Sequence, residues 1–219
     1  MHHALSRPDV AEAEAVKKLI EMAAVADCPV YIVHVSAARS LEHIQKAQQK
    51  GQPVFAETCL HYLLLDDSKY SGTFEKTVPF VISPPLRTRE DQLALWDAIN
   101  EGIIQTVGTD HCPFTFSQKA IGLNDFRKIP NGAGGIEHRM ALLFTYGVLE
   151  KRISLEKFVE ITSTNAARIF GIFPAKGQIA KGADADLVIW NPATENVIST
   201  KNHHQNCDIN IFEGLKTIG

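Results

Sequence analysis

The chain of 219 residues contains no apolar run near the ~20 residues that a bilayer-spanning helix needs. Cysteine is sparse: Cys28, Cys59, Cys112 and Cys207 stand far apart and none forms a C-x-x-C pair. That spacing indicates neither a zinc ribbon nor a disulfide framework, and a reduced, cytoplasmic setting is the default expectation. An excess of one charge is also missing. The net charge is -3, with no basic stripe for nucleic acid and no polybasic patch for a membrane surface. Met1-His2-His3-Ala4-Leu5-Ser6-Arg7-Pro8 has no apolar core of a secretory signal, so none is expected. Internal repeats and low-complexity segments are absent as well. What is present is ordinary globular composition, 45% apolar and 21% charged. The length suits one sizeable core, or one core with a small appended unit.

The order of helical and strand patterns carries more information. Pro8-Asp9 opens a helix through Ala26, which Cys28-Pro29 ends. Val30 to Val35 is a short β-branched run, predicted as a parallel strand buried on both faces. A helix over 40–50 closes at Gly51, a strand follows over 54–58, a helix over 89–100 closes at Gly102, and a strand follows over 103–108. Further helices are predicted over 136–150, 155–162 and 165–170. This alternation predicts right-handed βαβ units and a parallel sheet, either a closed barrel or an open sheet. After Pro174 the character changes, and 176–190 reads as turns followed by a β-run. Residues 112–135 are the longest irregular stretch, too long for a plain connection.

Polar residues gather at the C-terminal ends of the three strands: His34 and Ser36, Glu57 and Thr58, then Thr109, Asp110 and His111. Active sites of parallel α/β proteins sit at those ends. His34 is a candidate metal ligand, or else a satisfied polar residue at the rim. Asp110 is a candidate ligand and general base, or else a loop cap. His61 reads as a ligand or, more simply, as a structural or ligand-supporting residue. Ser83-Pro84-Pro85-Leu86-Arg87 is a rigid segment that could present backbone groups to a polar substrate, or a turn before the next helix. Asn131-Gly132-Ala133-Gly134-Gly135 offers exposed N–H groups, or is a helix-entry loop. His203-His204 and His2-His3 are adjacent pairs, unsuited to joint chelation.

Taken in order, several segments resemble the dihydropyrimidinase/hydantoinase branch of the amidohydrolase superfamily. They are Tyr31-Ile32-Val33-His34-Val35-Ser36, Glu57-Thr58-Cys59, Ser83-Pro84-Pro85-Leu86-Arg87, Gly108-Thr109-Asp110-His111-Cys112-Pro113-Phe114, Ile129-Pro130-Asn131-Gly132 and Asp184-Ala185-Asp186-Leu187-Val188-Ile189-Trp190. The resemblance implies an α/β fold: strands six to eight of a (β/α)8 TIM-type barrel with their helices over 1–174, and an incomplete small β-sandwich over 175–219. It implies a hydrolase that opens the cyclic amide ring of dihydropyrimidines or hydantoins to N-carbamoyl amino acids. Two zinc ions would be bridged by a carbamylated lysine and a hydroxide. His34 would match the ligand of the sixth strand. Asp110 would match the eighth-strand carboxylate that binds the other metal and shuttles the proton. Ser83 and Asn131 would match positions whose backbone groups bind the ring. A homo-tetramer is the implied assembly.

The family's His-x-His pair, bridging lysine and fifth-strand histidine have no counterpart in this sequence. Isolated activity is therefore not expected, and the chain would work with a missing N-terminal half. The alternatives are a non-catalytic scaffold or fragment, and an allantoinase-type enzyme. Allantoinases and dihydroorotases usually carry Asn where Ser83 stands and Ser-Asp-His-Ala-Pro where Thr109-Asp110-His111-Cys112-Pro113 stands. The non-catalytic relatives typically lose the carboxylate that Asp110 keeps.

Overall fold

The structure, a computed structural model, describes residues 2–219. It opens with α1 (His2–Leu5) and α2 (Asp9–Val25). Pro8 holds an extended backbone before α2, and Asp9 and Glu12 in its first turn suit the positive end of the helix dipole. α2 buries Ala13, Val16, Ile20 and Ala23, a spacing of three and four residues that forms one apolar stripe.

The chain continues through β1 (Val30–Ile32), α3 (Ala38–Gln49), β2 (Val54–Cys59), α4 (Leu60–Leu64), α5 (Phe74–Thr77), α6 (Arg89–Asn100) and β3 (Thr106–Gly108). The strands lie in the order β1-β2-β3, both pairs parallel, with Val30 opposite Val54 and Glu57 opposite Thr106. This is the α/β parallel arrangement that the alternating pattern predicts. α6 has its predicted bounds because its start is fixed chemically. The Thr88 hydroxyl accepts from the Asp91 N–H, and the Asp91 carboxylate accepts from the Thr88 N–H. Leu60, Leu95, Ile99, Ile104 and Leu142 are fully buried where the helices cover the sheet. The Trp96 indole N–H donates to the Leu63 carbonyl at 3.0 Å.

Beyond β3 come α7 (Phe116–Ala120) and α8 (Arg139–Leu143), the latter continuing as a π-helix to Leu149. α9 (Leu155–Val159) runs through a π-helical stretch into α10 (Asn165–Ile169). β4 (Glu195–Val197) and β5 (Lys216–Ile218) form an antiparallel pair. Ile198, Ile211 and Phe212 from this last segment are buried in the same core as the parallel sheet.

Three expectations need correction. The first strand is shorter than predicted and is not buried on both faces: β1 ends at Ile32, and Val33 is 45% exposed. The chain leaves the ladder there because His34 adopts φ 45°, a left-handed conformation incompatible with a strand. The β-run expected within 176–190 forms no strand, and Ile189 is 97% exposed. Its β-branched sequence has no neighbouring strand among the described residues to complete a ladder, and local propensity does not supply one. The irregular stretch over 112–135 contains α7 and a 3₁₀ turn over Phe126–Lys128. Among the described residues no helix is long and apolar enough to cross a membrane.

Candidate active site

His34 and Asp110 stand just past the C-terminal ends of β1 and β3, on either side of β2. Both are non-glycine residues with positive φ, 45° and 44°. Such conformations cost about 1–3 kcal/mol for a residue with a Cβ and cluster at functional sites. The chain is secured beyond His34: the Val35 N–H donates to the Glu57 carbonyl at 2.8 Å, and the buried Thr58 hydroxyl donates to the Val35 carbonyl at 2.7 Å. Beyond Asp110, His111 bridges to Ala133, and the Cys112 N–H donates to the Ala133 carbonyl at 3.0 Å. The His111 Nδ1 accepts from the Gly135 N–H at 3.1 Å. The chain is therefore held on the far side of both strained residues.

Between them lies Glu57. Tyr31 on β1 donates its hydroxyl to the Glu57 carboxylate at 2.9 Å, and its oxygen then accepts from the Thr106 hydroxyl of β3 at 2.6 Å. One chain of bonds thus crosses the three strands. Burial pushes the Glu57 carboxyl up, while the Tyr31 bond and the charges of His34 and Arg139 pull it down, and Asp110 pushes it up again. A Cβ on Gly108 would lie 2.7 Å from the Glu57 carboxylate carbon, so the missing side chain lets that carboxylate sit beside the strand as placed. In the linear sequence Glu57 is one polar residue at a strand end, within Glu57-Thr58-Cys59, with no role of its own. The signal lay in its register with Thr106 and its same-face spacing from Tyr31, neither of which is visible before the strands are aligned.

Ser83 is exposed and Asn131 is half-buried. The segments that carry them are joined, since the Gly132 N–H donates to the Val81 carbonyl at 3.1 Å. Two buried side chains brace the same strip. Lys119 donates from Nζ to the Val81 carbonyl at 2.8 Å, and His3 donates from Nε2 to the Ile82 carbonyl at 2.7 Å. Burial holds the His3 imidazole down at about 4, so it is neutral, with Nδ1 free to accept from Arg7 at 3.1 Å. Gly132 has φ +153°, and a Cβ there would lie 2.3 Å from the Cys112 carbonyl oxygen, so glycine is required. The adjacency of His2 and His3 argues against joint chelation but carries no signal of bracing, which depends on a carbonyl 79 residues away.

Glu12 ties the His34 turn to the segment carrying Ser83. Its carboxylate accepts from the Ser36 and Ala37 N–H groups at 3.0 Å each, from the Ser40 hydroxyl at 2.9 Å, and from the Ser36 hydroxyl. The Arg87 guanidinium lies 3.2 Å from Glu12 and donates from Nε to the Ser36 hydroxyl at 3.0 Å. His61 is buried in α4 with Nε2 unpartnered among the described residues, and burial holds it down at about 3, a neutral ring packed on Tyr62. His203 and His204 have separate partners, the Cys207 carbonyl and Glu137.

Among the described residues no three His, Cys, Asp or Glu side chains converge as a metal centre requires. His34 and Asp110 supply two donors from separate strand ends, whereas a catalytic zinc takes about three protein ligands. These residues by themselves do not fit a resident metal pair.

A model of the amidohydrolase family matches residues 3–216. The chain belongs to the amidohydrolase family. It is 47% identical over 220 residues to a D-hydantoinase of Geobacillus stearothermophilus, covering all of this chain and 47% of that protein. It is 45% identical to a dihydropyrimidinase of Arabidopsis thaliana, covering 99% of this chain and 41% of that one. The crystal structure of a dihydropyrimidinase from Brevibacillus agri superposes with a TM-score of 0.96 at 48% identity, over 99% of this chain and 47% of that one. Within the amidohydrolases, then, the resemblance is to the hydantoinase/dihydropyrimidinase branch. The chain spans about half the length of the relatives it matches.

Proposed function

We propose that this amidohydrolase chain supplies one part of the active site of a cyclic amidase that opens dihydropyrimidine or hydantoin rings to N-carbamoyl amino acids. The observation that carries this reading is the pair His34 and Asp110, held in left-handed backbone at neighbouring strand ends around Glu57. In this reading residues 1–174 contribute strands six to eight of a (β/α)8 barrel, and 175–219 contribute to a small β-sandwich. The assembly is a homo-tetramer. His34 and Asp110 each give one ligand to a pair of divalent metals, zinc in the first instance. The remaining ligands, a carbamylated lysine among them, lie outside residues 1–219.

The work of this chain's residues follows from their chemistry. Hydrolysis forms a C–O bond at the ring carbonyl and breaks the ring C–N bond, and the proton lost by water ends on the leaving nitrogen. Asp110, an exposed carboxylate on a strained and anchored turn, accepts that proton and returns it. The backbone groups of Ser83 and Asn131 hold the polar edge of the ring, and their segments keep a fixed separation through the Gly132–Val81 bond. The fixed geometry counts because holding a substrate in place lowers the barrier.

The test supplies the first half of the Geobacillus stearothermophilus D-hydantoinase in trans by co-expression with this chain and zinc. Dihydrouracil, phenylhydantoin and allantoin are assayed as substrates. The expected result is about two metal ions per complex and turnover of dihydrouracil or phenylhydantoin. Replacing Asp110 by Asn should lower that turnover by about 10²–10⁴-fold. A metal-loaded complex that turns over only allantoin, or nothing, overturns the proposal. The second outcome would favour a non-catalytic scaffold.

A further inference from the structure

Among the described residues Lys119 has no carboxylate partner, and it is only 1% exposed. Isolating an ammonium from water costs several kcal/mol, and methionine would fill the same volume without that cost. The ammonium makes one hydrogen bond, to the Val81 carbonyl, and sits 6.0 Å from the centre of the Phe114 ring. α7 points this side chain inward because its own start is fixed by the reciprocal Thr115–Gln118 capping bonds. The Val81 carbonyl also accepts from the Gly132 N–H at 3.1 Å. One acceptor with two lone pairs therefore holds two donors from different segments. Val81 lies two residues before Ser83, and Gly132 directly follows Asn131.

We propose that Lys119 is a positioning residue that sets the separation between the Ser83 and Asn131 backbone groups by clamping the Val81 carbonyl together with Gly132. The inference rests on the substrate-binding reading of those two positions. The charge accounts for the choice of lysine: a hydrogen bond from a charged donor is stronger than one between neutral groups, and the surrounding low dielectric strengthens it further. Burial lowers the ammonium to about 8, with the Cys112 and Cys207 thiols acting in the opposite direction. Lys119 therefore remains mostly charged at neutral pH.

The experiment has two arms. In the first, hydrogen exchange is followed residue by residue on this chain alone, as wild type and as Lys119→Met. The Gly132 amide of the wild type should exchange at least about 100-fold more slowly than a free loop amide. In the variant it should exchange about tenfold or more faster, with the amides of α6 unchanged. An unprotected Gly132 in the wild type overturns the clamp without any variant, so a variant that fails to fold does not rescue it. In the second arm, the complex with the hydantoinase first half is assayed with the ring it turns over. Lys119→Met should raise KM about tenfold or more and leave kcat within about threefold, the pattern of lost binding geometry rather than lost chemistry. Faster exchange with unchanged KM would make Lys119 a structural brace only and would overturn the positioning role. A wild-type complex that turns over no ring would sink the cyclic-amidase reading and the positioning role that rests on it. The exchange arm would still decide the clamp.

Discussion

Replacing Glu12 by Ala should cost this fold about 4 kcal/mol. Glu12 and Arg87 have side chains only 12% and 9% exposed and lie 3.2 Å apart. The substitution leaves a buried guanidinium without its counter-charge, and breaking such a pair typically costs about 3–5 kcal/mol. Arg87 keeps two smaller compensations, its bonds to the Ser36 hydroxyl at 3.0 Å and to the Arg7 carbonyl at 2.6 Å. The Ser36 and Ala37 N–H groups, which Glu12 satisfies at the start of α3, lose their acceptor too. That loss overlaps with the first and is not added to it. Urea unfolding followed by circular dichroism reads the result. With a slope near 3 kcal/mol per M, the midpoint should fall by about 1.3 M. Arg87→Ala should cost a similar amount, and the double variant should be less destabilised than the sum by about 2 kcal/mol or more. A single-variant loss under about 1 kcal/mol, or strict additivity, would show that the pair does not hold the two segments together.

Acid should weaken the fold through His3. Its folded value of about 4 lies below the ordinary 6.5, so the unfolded chain takes up the proton first. The stability it contributes is complete above about pH 6.5 and drains away as pH falls towards about 4, a loss of about 2 kcal/mol by about pH 5. His3→Gln should flatten the dependence of the urea midpoint on pH across that window, and an unchanged slope would refute the assignment. Gly132→Ala should destabilise by about 2 kcal/mol or more, since it adds both a positive-φ penalty and a contact of 2.3 Å with the Cys112 carbonyl. Thermal unfolding within about a degree of wild type would contradict that close approach. His34→Ala should leave the chain's own stability nearly unchanged or slightly lower, while the complemented complex loses bound metal on elemental analysis. Full metal retention would remove His34 from the ligand set.

The linear sequence was enough to place the helix and strand order and the three polar strand ends, because both rest on local periodicity and on stop signals such as Gly51 and Gly102. It also placed the family, because an ordered series of short motifs is a one-dimensional property. Tertiary structure decided everything that depends on which residues meet across long sequence distances. Tyr31, Glu57 and Thr106 became one bonded line only once parallel register put them on one face. His3 and Lys119, unremarkable in sequence, became braces of neighbouring carbonyls some 79 and 38 residues away. The left-handed turns at His34 and Asp110 follow from how the chain is anchored beyond the strand ends, since His and Asp tolerate that backbone but do not by themselves impose it. The β-run expected within 176–190 shows the limit from the other side. Its composition favours a strand, but a strand is a bonded pair, and pairing is a property of the neighbour as much as of the sequence.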